Sequence, residues 1–185
     1  MRTALVLIAG CGAVVGCGGS GSTNSSTAAP KDAAQVVCTK AHAAAQSTLG
    51  HAVSLKVTNG DPANIECLLR ASGTRLDLVA QQSAQAWTQW DTEQVHQDQA
   101  YGPSAHHQAG QIPQALDTSA GINAAWIPAQ RMLFATNGTQ SKGGSYITVT
   151  VSGKRHGKAE VALANAVMLA ALKFAPKGPN LAPPS

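Results

Sequence analysis

Ser145-Tyr146-Ile147-Thr148-Val149-Thr150-Val151 is the clearest strand signal in the chain, because five of its seven residues are β-branched and such residues fit a pleated, half-buried surface. Two further apolar segments precede it, Ala124–Ile127 and Arg131–Thr136. Pro128-Ala129-Gln130 bends the first into the second, and Asn137-Gly138 with the polar run to Gly144 links the second to the third. Lys158–Phe174 follows as a helix, apolar over more than half its circumference through Val161, Leu163, Val167, Met168, Leu169 and Leu172. Pro176 and Gly178 stop it, and 176–185 is a short tail.

The same rhythm runs through the earlier half. Asp32 followed three residues later by Gln35 resembles a capping box, and the alanine-rich run Ala33–Leu49 reads as a helix that turns Val37, Ala41, Ala44 and Ala45 to the domain body. Gly50 is its natural terminator. Ala52–Val57 alternates, and Asn59-Gly60-Asp61-Pro62 predicts a hairpin turn. The returning strand, Asn64–Arg70, puts Ile65, Cys67 and Leu69 inward. Ser72-Gly73-Thr74 turns the chain again into Arg75–Gln81, with Leu76, Leu78 and Ala80 inward. From Ser83, a good cap, to about Asp98 the pattern is helical, with Ala84, Trp87, Trp90 and Val95 in a broad face. Tyr101–Asp117 has no period and reads as a long loop. The predicted order is α-β-β-β-α-β-β-β-α, an α+β fold with a mainly antiparallel sheet flanked by helices. No βαβ alternation occurs, which excludes a nucleotide-type parallel sheet.

Ahead of this domain, Arg2 and the apolar run Ala4–Val15 have the charge and length of a secretory signal. Val14-Val15-Gly16-Cys17 resembles the lipobox of bacterial lipoproteins, in which the cysteine is diacylated on sulfur and becomes the first mature residue. Ile8-Ala9-Gly10-Cys11 fits the same pattern, but it leaves an apolar run of only about six residues, short of a usual signal of about 7–15, which favours Cys17. The divisions are then 1–16 signal, 17–31 Gly/Ser-rich tether, 32–175 one domain and 176–185 tail. An apolar run of about 12 residues is too short to span a bilayer, which takes about 20. Attachment to the extracytoplasmic face of the cell membrane would rest on lipid.

Cys38 and Cys67 are an even pair in an exported setting, where a disulfide is the default. Cys67 faces inward toward the helix bearing Cys38, so the bridge and the strand register support each other. Closing that loop stabilises by about 3–4 kcal/mol in the chain-entropy model.

Together these features are similar to small actinobacterial-type cell-envelope lipoproteins of unknown function: a lipobox, a tether, one cysteine in the first helix and one in a strand, then Ala120-Gly121-Ile122-Asn123-Ala124-Ala125-Trp126-Ile127-Pro128 ahead of a hairpin, and an alanine-rich last helix. The usual Gly-Leu-Gly-x-x-Ala-Trp of that segment is degraded here to Gly121-Ile122-Asn123-Ala124-Ala125-Trp126. The resemblance implies a PsbP/Mog1-like α/β sandwich serving as an envelope-anchored binding or scaffolding module.

Charge is uneven. Residues 17–118 hold five basic and eight acidic side chains, and 119–185 hold seven and one. A solvated basic face around Lys154-Arg155 and Lys158 accounts for this, with anionic headgroups or an acidic partner as the functional alternative. Export and the low net charge disfavour nucleic acid.

No Gly-x-Ser-x-Gly elbow, Ser-x-x-Lys, His-Glu-x-x-His, phosphate loop or dinucleotide fingerprint occurs. Asp91 and Glu93 stand two apart on a helix and do not face each other. No enzyme and no cofactor are expected. His96, His106 and His107 with Asp98 have the ligand chemistry for zinc, but their spacing is unspecific and polar-loop histidines are common, so no metal site is assigned. Trp87 and Trp90, with Trp126 opposite, form either part of the core or a groove for a small amphipathic ligand. The expectation is a lipid-anchored module that binds an envelope protein or such a ligand, the alternative being a lipid or glycolipid carrier with an internal apolar cavity.

Overall fold

The computed structural model describes residues 33–101, 113–118 and 121–179. The signal, Cys11, Cys17, the tether, His106 and His107 lie outside them. The elements are α1 (Ala33–Leu49), β1 (Ser54–Asp61), β2 (Asn64–Ala71), β3 (Thr74–Ser83), α2 (Ala86–Tyr101), β4 (Gln114–Ala115), β5 (Asn123–Ile127), β6 (Met132–Thr136), β7 (Gly144–Gly153) and α3 (Lys158–Leu172). All seven strands join one antiparallel sheet, in the order β1-β2-β3-β7-β6-β5-β4.

Tyr146–Val151 lies at the centre, as a β-branched strand should. β7 pairs along its whole length with β3, Thr74 opposite Gly153 and Ser83 opposite Gly144. Its Ile147, Val149 and Val151 are buried with Leu76, Leu78 and Ala80 of β3 and Ile65, Cys67 and Leu69 of β2. Against this face pack α1, through Ala33, Ala34, Val37, Cys38, Ala41 and Ala45, and α3, through Leu163, Ala164, Val167, Met168, Ala171 and Leu172. Small residues let the two helices lie side by side over the sheet. Each fully buried large aliphatic contributes about 1.5–3 kcal/mol.

The opposite face is covered by α2 over β6 and β7. Trp90, Met132 and Tyr146 pack there on Ala125, Ile127 and Phe134. The sheet is therefore sandwiched at its centre and covered by helices on one side at its β1–β2 end.

Three local readings change. The first hairpin does not turn at Asn59-Gly60. β1 continues through both residues to Asp61, with a bulge between Val57 and Asn59, and the turn falls at Pro62-Ala63. The side chains explain it: Asn59 Oδ1 accepts the Asp61 N–H at 3.0 Å, and Asp61 Oδ1 accepts the Ala63 N–H at 2.9 Å, which moves the turn two residues on. The predicted order also lacks β4, a two-residue edge strand inside the expected loop. Gln114 pairs with Trp126 and Ala115 with Ala125, a signal too short for periodicity to register. Ser83 ends β3 instead of opening α2 directly, and its Oγ accepts the Gln85 N–H at 3.0 Å, so the helix begins at Ala86.

Gly50, φ 69°, follows α1 in the left-handed conformation a helix terminator needs. Just before β1, His42 Nε2 lies 2.6 Å from the Val53 carbonyl oxygen and ties the helix to the segment that enters the strand.

Candidate functional site

Cys38 and Cys67 are bonded, with Cα atoms 5.6 Å apart and a sequence separation of 29. Cys38 is 0% and Cys67 2% exposed, so the bridge is a core element joining α1 to β2. Neither sulfur is presented to a ligand.

The tryptophans do not converge. Along β5 the side chains alternate, so Ala124 and Trp126 enter the cluster beneath α1 and α3 while Ala125 and Ile127 enter the cluster beneath α2. Trp126, 3% exposed, is thus on one face of the sheet and Trp90 on the other. Trp87 sits half-buried in the first turn of α2. A signal for this was present: Ala124-Ala125-Trp126-Ile127 has no polar position, which marks a strand buried on both faces. His96 lies within α2, and its predicted companions His106 and His107 lie outside the described residues. Among the described residues no three His, Cys, Asp or Glu side chains are grouped to hold a metal ion.

The α2 side of the sheet does form a cleft. It is open to solvent, about 400 Å³, and lined by Gln81 at the end of β3, Tyr146 at the start of β7, and Gln85, Thr88, Gln89, Thr92 and Glu93 along the approach to α2 and its first turns. Residues 85, 88, 89, 92 and 93 recur at helical spacing, which places them on one side of the helix. Amides and hydroxyls dominate the lining, and each both donates and accepts hydrogen bonds. Burial, and after it the nearby Glu93 carboxylate, pushes the Tyr146 phenol well above its ordinary range, so it stays protonated and able to donate. Trp90 Nε1 is buried beside this cluster without a hydrogen-bond partner. The arrangement suits a neutral, partly apolar group bearing hydroxyls or amides.

A second polar cluster, unforeseen in the sequence, sits at the other end of the sheet. Arg131 has φ 52°, unusual for a residue with a Cβ. Its guanidinium donates Nε to Glu160 Oε2 at 3.2 Å, Nη2 to Glu160 Oε1, Nη1 to the Gly153 carbonyl at 3.0 Å and Nη2 to the Lys154 carbonyl at 3.0 Å. The His156 N–H donates to Glu160 Oε1 at 3.1 Å, and His156 Nε2 lies 2.6 Å from Thr74 Oγ1. Burial by itself raises the Glu160 carboxyl, but the Arg131 hydrogen bond, the His156 N–H and the two neighbouring charges outweigh it and hold the carboxyl below its ordinary value. Every group in this cluster is engaged in closing the β3–β7 end of the sheet onto the start of α3. It is a clasp, and it leaves Lys154, Arg155 and Lys158 exposed around it.

No described helix is long and apolar enough to cross a membrane. Comparison with protein-family models, curated proteins and solved structures finds no match to the chain.

Proposed function

We propose that this protein is a lipid-anchored lipoprotein of the extracytoplasmic membrane face. Cys17 carries the lipid, and a single PsbP/Mog1-like domain binds an envelope protein or a small amphipathic ligand. The observation that carries this reading is the core bridge between Cys38 and Cys67. A disulfide that joins two core elements belongs to an oxidising compartment, which agrees with the signal-like residues 1–16 and with the lipobox at Cys17. Two or more acyl chains hold a protein stably where one does not. The binding seat is the amide- and hydroxyl-lined cleft between α2, Gln81 and Tyr146. The Tyr146 ring gives it an apolar wall among polar side chains, the composition an amphipathic ligand requires.

Detergent phase partition of the cell-produced protein tests the anchor. The parent enters the detergent phase and Cys17→Ser enters the aqueous phase; equal partition of the two refutes anchoring at Cys17. A photo-crosslinking residue at Thr88 or Gln89, both exposed, tests the seat. A discrete adduct in cells is expected, and its absence at both positions refutes the cleft as the binding site.

A further inference from the structure

We propose that the end of the domain where α1 begins docks directly on an anionic phospholipid surface, through Val36 and Phe174 flanked by Lys40 and Lys173. The proposal rests on anchoring at Cys17 and adds to it a defined orientation of the domain. Among the described residues Val36, 40% exposed, and Phe174, 39% exposed, are the large hydrophobic side chains left in solvent. They come from different elements, α1 and the turn after α3, and Lys40 links them. Val36 and Lys40 are one turn apart on α1, Lys40 Nζ stands 5.2 Å from the Phe174 ring centroid, and Nζ of Lys173, the residue that caps α3 just before Phe174, stands 5.8 Å from it. A cation held over an apolar ring is the arrangement an interfacial contact needs, with the ring entering the acyl boundary and ammonium groups meeting lipid phosphates.

The place of this patch in the fold selects its occupant. α1 starts at Ala33, one turn before Val36, so the tether from Cys17 enters the domain beside the patch. Its sixteen residue steps reach at most about 55 Å, and the end that needs the least of that reach is this one. The segment after α3 is fixed here as well: Ser145 Oγ donates to the Pro176 carbonyl at 2.7 Å, and the Gly178 N–H to the Gly144 carbonyl at 3.1 Å. Lys177 adds an exposed cation, while Asp61 and Asp117 lie toward the two outer edges of the sheet. The opposite end carries Lys154, Arg155 and Lys158 but no exposed large hydrophobic among the described residues. Two apolar side chains bind a free domain weakly. On a tethered domain the contact becomes intramolecular and the effective concentration compensates.

The test uses the acylated protein purified from membranes and inserted into vesicles containing phosphatidylglycerol and brominated lipid. One form carries an environment-sensitive label at Thr39→Cys, exposed and three residues from Val36 on α1; the control carries it at Arg155→Cys, exposed at the far end. Quenching at position 39 and not at 155 is expected. The ratio of docked to undocked protein should fall about thirtyfold in Lys40→Gln/Lys173→Gln, at about fivefold per basic residue, and about tenfold or more in Phe174→Ser. Vesicles of phosphatidylcholine alone should reproduce the loss seen with the lysine variant. Equal quenching at both positions, with the protein still floating with the vesicles, overturns docking and leaves anchoring intact. Shielding of position 39 only after membrane proteins are added overturns the lipid as occupant. Failure to float at all overturns both.

Discussion

Opening the Cys38–Cys67 bridge tests most directly how the two halves of the core are held. The bonded residues are 29 apart, so the chain-entropy relation gives a loss of about 12 cal/mol/K in the unfolded ensemble, or about 3.6 kcal/mol at 25 °C. Against a total of about 5–15 kcal/mol for a domain, that is between about a quarter and nearly three quarters of the stability. At about 2–4 °C per kcal/mol for a domain of this size, Tm falls by roughly 7–14 °C. Urea or thermal unfolding followed by circular dichroism, with and without reductant and with free thiols blocked afterwards, measures this without altering any side chain. Burial adds a kinetic expectation. With Cys38 0% and Cys67 2% exposed, a reductant reaches the sulfurs only when α1 lifts from β2, so native reduction should be slow and should accelerate in step with sub-denaturing urea. Rapid reduction in buffer would show that α1 opens independently of the sheet. A stability change below about 1 kcal/mol would show that the unfolded chain already holds the two segments together, and the entropic reasoning would fail.

Removing the clasp should cost comparably. Glu160→Gln leaves the Arg131 guanidinium without its carboxylate in a site where Glu160 is 7% exposed, and breaking one partner of a buried pair costs about 3–5 kcal/mol; chemical denaturation at neutral pH checks it. The folded Glu160 carboxyl titrates below its ordinary value of 4.5. Its contribution is therefore fully present above that value and is lost as pH falls through the lower, folded value. The parent should lose stability across that acid range, and Glu160→Gln should lack this component; identical pH profiles for the two would refute the assignment. Gly153→Ala should destabilise by more than about 2 kcal/mol, because φ is 84° and an added Cβ would lie 2.2 Å from the Gly73 carbonyl oxygen. Gly50→Ala, also at positive φ but with nothing within 4 Å, should cost only about 1 kcal/mol, and equal losses at the two sites would contradict the steric account.

Local chemistry made most of the sheet legible. β-branched residues in β7, apolar residues at every second position of β2 and β3, and a glycine after α1 each act within a few residues of themselves, and these elements formed where their residues dictate. The inward register of Cys67 depended on the same alternation. What escaped was decided by groups distant in sequence. Arg131 and Glu160 are 29 residues apart, and nothing near either residue announces the other; the positive φ that aims Arg131 arises from a turn containing no glycine or asparagine. The cleft escaped for a related reason, since Gln81 and Tyr146 become neighbours only through the β3–β7 pairing. For the tryptophans the sequence leaves core and groove open, and the unbroken apolar run of β5, which requires two buried faces, decides for the core at Trp126. Strand parity then puts Trp126 with Ala124 beneath α1 and α3, and leaves Ala125 and Ile127 to meet Trp90. The consequence reaches function. The cleft on the α2 side is lined by Tyr146 and polar side chains and by neither Trp90 nor Trp126, so a Trp126 substitution should act through stability, and the determinants of any binding there belong to the polar rim of α2.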